Sequence, residues 1–260
     1  MFEIKLVQGW LLKRAVEAIK DLVTYAELMC SSTDFSLNAV DSNYSAFVSL
    51  LLGSNSFEDY NCEKSVCLGV NMNNLSRVLK FAGNDDIVIV EGDDDMDDMC
   101  LVFQSPGGDK TTSINMHLMD IHGHSYAIPD YDYDVVIRMS SSVFASICRN
   151  LAEINDTVLI SVTKEGAMFS TSGETVKDAK VLCRQNGEED TTTIKMKTQV
   201  SMAFSLRYLN SFTKATPLSS IVTINMSTGM PDRHQSVRIN LTKREYEREL
   251  IISKENQGDK

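Results

Sequence analysis

Proline is scarce in this sequence, with four in 260 residues, which leaves little room for long disordered linkers. No apolar run approaches the roughly 20 residues that a membrane-spanning helix needs. The start, Met1-Phe2-Glu3-Ile4-Lys5-Leu6, lacks the basic end, apolar stretch and small-residue cleavage site of a secretory leader, so an intracellular protein is expected. No GxSxG, Walker loop or GxGxxG occurs, so neither nucleophilic catalysis nor nucleotide chemistry has support, and no enzyme is expected. No cofactor is expected either. The cysteines Cys30, Cys62, Cys67, Cys100, Cys148 and Cys183 include no CxxC and mostly sit in apolar runs, as reduced thiols do. Positive charge is also in short supply. Lys and Arg number 25 against 36 Asp and Glu, a net charge of −11, which argues against bulk electrostatic attraction to nucleic acid.

What is present is a hydrophobic content of 43%, ample for a packed core, arranged in two kinds of pattern. Four windows read as helices from apolar spacing. They are Gln8–Leu22 with Leu12, Val16, Ile19 and then Val23, Met72–Phe81 with Leu75, Val78 and Leu79, Ser141–Ile154 with Phe144, Ile147, Cys148 and Leu151, and Ser205–Ala215 with Leu206, Leu209 and Phe212. Serines at the start of the third window are candidate caps. The rest is short runs that read as strands: Phe2–Val7, Phe35–Val40, Ala46–Leu52, Ile87–Glu91, Cys100–Gln104, Thr111–Leu118, Val135–Met139, Thr157–Val162, Met168–Ser170, Val176–Cys183, Val200–Phe204, Ile221–Met226 and Val237–Leu241. Turn signals such as Pro106-Gly107-Gly108 and Lys164-Glu165-Gly166 separate them. The class is α+β with extended antiparallel sheets.

The order of elements repeats. Leu12 and Arg77 lie 65 residues apart, as do Arg149 and Lys214, so the pattern predicts an internal duplication. The expected domains are residues 1–120 and 135–260, joined by a connector at 121–134 that has neither period. A connector of this kind crosses the surface and is open to partners.

Charge follows the same division. The helical windows hold Lys13, Arg14, Lys20, Arg77, Lys80, Arg149, Arg207 and Lys214 against only Glu17, Asp21 and Glu153. The remaining chain carries 17 basic and 33 acidic residues. Any one such lysine or arginine is ordinary solvated surface, but eight of eleven charges of one sign on the helices of an acidic protein is a pattern. On helix one, Lys13, Arg14, Glu17, Lys20 and Asp21 share an arc opposite Leu12, Val16 and Ile19. Without aromatics interleaved, such a surface suits duplex phosphates and not stacked bases. Phosphate contacts of this kind are weak and salt-sensitive, which permits sliding.

Several stretches together carry a family resemblance: Met1-Phe2-Glu3, Leu6-Val7-Gln8-Gly9, Gly69-Val70-Asn71 and Leu79-Lys80 within Cys62–Lys80, Ala82-Gly83-Asn84, Leu118-Met119-Asp120, Ile128-Pro129 and Ile147-Cys148-Arg149. The longest is Leu206-Arg207-Tyr208-Leu209-Asn210 running into Phe212-Thr213-Lys214-Ala215-Thr216-Pro217-Leu218-Ser219-Ser220. Over nearly its whole length the chain resembles the proliferating cell nuclear antigen family of eukaryotic sliding clamps. The resemblance implies a DNA-clamp fold of two similar domains, each with antiparallel sheets outside and two helices inside. Three subunits would close head to tail into a homotrimer around non-sequence-specific duplex DNA.

The same resemblance implies that the eight basic residues above face the DNA. Edge strands near Lys110–His117 and Thr175–Cys183 would pair between subunits, placing Lys110, Ile114, Met116, Val176, Lys180 and Val181 at the interface. A pocket for partner peptides would draw on Val40, Tyr44, Ser45, Phe47, Ile121, Tyr126, Ile128, Pro129 and Pro231. Lys164 matches the lysine that the family presents for ubiquitin attachment, although an exposed turn lysine is also simply solvated. The implied partners are DNA polymerase, repair proteins carrying clamp-binding peptides, and a separate ATP-driven clamp loader, acting in the nucleus with no membrane involved.

The sequence departs from the family pattern after Pro231. It reads Asp232-Arg233-His234-Gln235 and then Lys243-Arg244-Glu245-Tyr246-Glu247-Arg248-Glu249, with Leu250, Ile251 and Ile252 as the apolar residues able to complete the pocket. Ser45, His122, Gly123 and His124 also make the pocket and connector less apolar than the family norm. A divergent paralogue, acting as an interaction module in repair without full replication activity, is therefore an alternative. His122-x-His124 with Asp120 is an incomplete metal set, and no metal is expected. The run Asp93-Asp94-Asp95-Met96-Asp97-Asp98 lacks the glycine and glutamate of a calcium loop and reads as an acidic hairpin tip.

Overall fold

The computed structural model describes the chain apart from Gln8 and residues 42–45, 93–96, 122–131, 186–191, 228–233, 244–245 and 256–260. Over 234–243 and 246–255, and at Ala46 and Leu218, it describes the backbone only. The chain forms two compact units. The first comprises Met1–Ser42, Val48–Ala127 and Lys243–Arg248, and the second Asn43–Phe47, Ile128–Thr242 and Glu249–Lys260.

The first half of the chain runs β1 (Phe2–Leu6), α1 (Gly9–Ile19), β2 (Tyr25–Cys30), β3 (Asp34–Val40), β4 (Ala46–Gly53), β5 (Asp59–Cys62) and β6 (Val66–Asn71). It continues with α2 (Met72–Val78), a 3-10 turn (Leu79–Phe81), β7 (Ile87–Gly92), β8 (Asp98–Gln104) and β9 (Thr111–His117). The second half runs β10 (Val135–Ser140), α3 (Ser141–Ala152), β11 (Thr157–Thr163), β12 (Gly166–Thr171), β13 (Ala179–Cys183), β14 (Thr193–Met196) and β15 (Val200–Ser205). After these come α4 (Leu206–Thr213), a 3-10 turn (Thr216–Leu218), β16 (Ile221–Ser227), β17 (His234–Lys243) and β18 (Tyr246–Glu255).

Strand order shows the duplication directly. The series β5-β1-β7-β8-β9 in the first half has its counterpart in β14-β10-β16-β17-β18, and β4-β3-β2-β6 in β13-β12-β11-β15. Within each of these series a strand has the same neighbours as its equivalent nine strands later. Phe2 opposite Gly92 in β1 and β7 corresponds to Val135 opposite Met226 in β10 and β16. The described pairings are antiparallel, as alternating runs favour.

Burial explains why these segments adopt these elements. Phe2, Ile4 and Leu6 alternate with the half-buried Glu3 and Lys5 along β1, and Met99, Leu101 and Phe103 do the same along β8. In α1 the buried residues Leu11, Leu12, Ala15, Val16, Ala18 and Ile19 recur at helical spacing. In α3 Phe144, Ile147, Cys148 and Leu151 form the buried stripe, each apolar side chain contributing about 1.5–3 kcal/mol.

Several sequence expectations need correction. Helix one ends at Ile19, because Leu22 and Val23 turn back onto the Ile19 carbonyl. Helices two and four tighten into 3-10 turns or stop early, so Lys80 sits on a 3-10 turn and Lys214 follows α4 as its terminal cap. No serine side chain caps α3. Ser140 makes no cap bond, and the buried Ser141 hydroxyl donates instead to the Ser219 carbonyl. The strand expected from Val176 begins only at Ala179, since Val176 lies in the loop before it, where its carbonyl accepts from Gly173 N–H at 2.8 Å. Strands β2, β5, β6, β14 and β18 were not expected at all.

Candidate nucleic-acid interface and partner surfaces

In the first unit α1 packs beside α2, and a side chain joins them: Lys13 Nζ donates to the Ala82 carbonyl at 3.1 Å, just past the 3-10 turn. In the second unit α3 packs beside α4, where Asn210 Nδ2 donates to the Cys148 carbonyl at 3.3 Å. Asn71 fixes the start of α2 by accepting from Asn74 N–H at 3.1 Å, an N-cap that satisfies one of the helix's free donors.

The basic residues divide between these helix pairs. Lys13, Arg14, Lys20, Arg77 and Lys80 belong to the first unit, and Arg149, Arg207 and Lys214 to the second. Arg14, Arg77, Lys80, Arg149, Arg207 and Lys214 are exposed, and Lys13 and Lys20 half-buried. Arg14 is partly neutralised by Glu17 at 3.2 Å, an exposed pair one helical turn apart. Arg207 lies over the Tyr208 ring, 5.9 Å from its centroid. Lys20, Arg77, Lys80 and Arg149 form no ion pair among the described residues, so their charge is available to an outside anion. One amendment concerns aromatics. Phe81, 60% exposed, directly follows Lys80 in the chain.

The two edges that the resemblance assigns to subunit pairing are terminal strands. β9 ends the series β5-β1-β7-β8-β9, and β13 ends β13-β12-β11-β15. On β9, Ile114 is half-buried and Met116 buried, with Lys110 exposed just before the strand. On β13, Val181 is half-buried and Lys180 exposed and paired with Asp178. Val176 is outside the strand, as noted.

Of the pocket residues, Val40 at the end of β3, Phe47 in β4 and Ile121 are each half-buried. Tyr44, Ser45, Tyr126, Ile128, Pro129 and Pro231 lie outside the described residues, as do the side chains of Leu250, Ile251 and Ile252. So do His122, His124 and Asp93–Met96. The entry to the connector is held over β6. Met119 N–H donates to the Gly69 carbonyl at 2.9 Å, and a Cβ on Gly69 would collide with the Met119 carbonyl and stand 2.8 Å from Ile121. Glycine inside a strand signals this kind of close approach, although β6 itself was not expected.

Lys164 is exposed at the tip of the two-residue turn joining β11 and β12. Gly166 closes that turn at φ +145°, against the Cys183 carbonyl, a conformation and a space that only glycine accepts.

Two antiparallel halves of one topology, each bearing a basic helix pair, define an α+β clamp of two similar domains. Residues 1–125 match the family model described as proliferating cell nuclear antigen, N-terminal domain, and residues 127–244 match proliferating cell nuclear antigen, C-terminal domain. The chain belongs to the proliferating cell nuclear antigen family and has the DNA-clamp fold. It is a protein of sliding-clamp type, connected with DNA replication and repair, in a family that acts as a non-enzymatic scaffold with DNA and polymerase as its general partners.

Proposed function

We propose that this chain is one subunit of a homotrimeric ring that encircles duplex DNA without reading its sequence. In this reading it acts in the nucleus as a processivity factor and docking platform for DNA polymerase and repair proteins. The observation that carries the reading is the set of unpaired or exposed cations on the helices of both units and on the turns that directly follow them, within a chain of net charge −11. Phosphate contacts through Lys20, Arg77, Lys80, Arg149, Arg207 and Lys214 are individually weak and salt-sensitive, so they permit sliding. Retention comes from topology together with these contacts, because a closed ring leaves the duplex only by opening and its cations favour the DNA-bound state. Opening falls to a separate ATP-driven loader. Edge strands β9 and β13 close the ring by pairing between subunits, which also protects two exposed edges from aggregation. Partner peptides dock near Val40, Phe47 and Ile121, and Lys164 on its exposed turn is the ubiquitin acceptor.

Sedimentation at micromolar concentration tests the assembly. A species of three chains is expected, and Val181→Asp on β13 is expected to yield folded monomers. A wild-type monomer would contradict the reading.

One observation favours a second reading. The C-terminal family match stops at residue 244, leaving Leu250, Ile251 and Ile252 outside it. A clamp-fold interaction module in repair, without full replication activity, accommodates that difference. Polymerase stimulation on primed circular DNA separates the two, with full stimulation supporting the ring and its absence the module.

A further inference from the structure

Between the two sheets of the first unit, β2 and β5 bring two thiols to one place. Tyr60 and Cys62 are two residues apart on β5, so their side chains share its inward face, with Asp59 and Asn61 exposed between and beside them. Cys30 ends β2 and is 0% exposed, and Cys62 is 5% exposed. The Tyr60 hydroxyl lies 3.4 Å from Cys30 Sγ. Its single proton goes to the carbonyls of Ser31, at 2.7 Å, and Asp34, so Cys30 donates to Tyr60 and not the reverse. The Cys62 thiol donates to the Lys64 carbonyl at 3.1 Å, and it is near enough to Cys30 to push that thiol up further.

We infer that Cys30 and Cys62 form a reversible, peroxide-driven disulfide that ties β2 to β5 and so locks the two sheets of the first unit together. Peroxide meets Cys62 first, the more accessible of the two. The Cys62 sulfur attacks one peroxide oxygen, the O–O bond breaks, and a sulfenic acid and one water form. The Cys30 sulfur then displaces the hydroxyl, giving the S–S bond and a second water. Two thiols are oxidised by two electrons in all and one peroxide is reduced. In the resting fold both thiol protons are engaged, and burial pushes the Cys30 thiol up to about 12. The pair is therefore slow to react, and local opening between β2 and β5 sets the rate. Cys67, exposed on β6, reacts independently and has no thiol partner among the described contacts.

The test treats the reduced full-length protein with hydrogen peroxide, blocks remaining thiols after unfolding, and maps peptides by mass. A Cys30–Cys62 cross-link that dithiothreitol reverses is expected, with melting raised by roughly 5–10 °C relative to the reduced form. Cys30→Ser is expected to abolish both the link and the melting shift, leaving Cys62 as a sulfenic acid that dimedone traps. Oxidation of Cys67 while Cys30 and Cys62 stay free thiols would overturn the inference. So would oxygenation of Cys62 in wild-type protein without the link.

Discussion

Burial sets the chemistry of the thiols at the level of single residues. Cys148 on α3 is 1% exposed, and burial pushes its thiol up to about 12; Cys30 is raised to a similar value for the same leading cause. In the unfolded chain both thiols ionise near the ordinary value of 9.0. The folded state therefore holds its protons where the unfolded state releases them. Stability from this source is complete below pH 9 and is lost as pH rises from there toward 12. Urea unfolding measured from pH 8 to 11 is expected to show that decline, and Cys148→Ala to make it shallower while lowering the whole curve. Gly166 supplies a second residue-scale prediction. Gly166→Ala forces a side chain into φ +145° against a carbonyl and is expected to cost about 1–3 kcal/mol or more in chemical denaturation. Lys164 beside it is exposed, and Lys164→Arg is expected to leave stability within about 0.5 kcal/mol while removing the proposed modification.

At the scale of elements, the two helix starts that look alike in sequence behave differently. Asn71 caps α2, so Asn71→Ala is expected to cost about 1 kcal/mol. Ser140 precedes α3 without capping it and bonds to Ser142 at 2.9 Å on the surface, so Ser140→Ala is expected to change stability by less than about 0.5 kcal/mol. Urea midpoints of the two variants decide the matter. Helices were legible because apolar spacing and burial coincide: Leu12, Val16 and Ile19, or Phe144, Ile147 and Leu151, mark the inward face in both. Strands with β-branched alternation were equally plain, as in Ile87–Gly92 and Thr157–Thr163. The missed strands lack that signal. Tyr25–Cys30 carries Glu27, Met29 and no β-branched residue, Val66–Asn71 is interrupted by Gly69, and Asp59–Cys62 and Thr193–Met196 are four residues each. They form because neighbouring strands complete their hydrogen bonds, β3 and β6 on either side of β2, and a single neighbour each for β5, β6 and β14. Serine spacing could not reveal that Ser141 serves a tertiary bond in place of a cap.

On the scale of the whole molecule, the duplication was visible as equal 65-residue spacings, and strand order now accounts for it element by element. Charge on the helices was legible too, since the exposed face of an amphipathic helix follows from its buried one. Which of those cations are already engaged was not legible. The bond from Lys13 to Ala82 and the pairing of Arg14 with Glu17 depend on tertiary and rotamer geometry. The remaining unpaired set narrows the proposal to Lys20, Arg77, Lys80 and Arg149 as the contacts whose loss should matter most.

Retention on closed circular duplex DNA after loading by an ATP-driven loader tests that proposal most directly, comparing wild type with a Lys20→Glu, Arg77→Glu, Arg149→Glu variant. Wild type is expected to stay on the circle and to leave once the DNA is linearised. The variant, sedimenting like wild type, is expected to be retained at least tenfold less. Equal retention of the two proteins on the circle, or wild-type retention unaffected by linearisation, would contradict a ring that holds DNA through its basic helices.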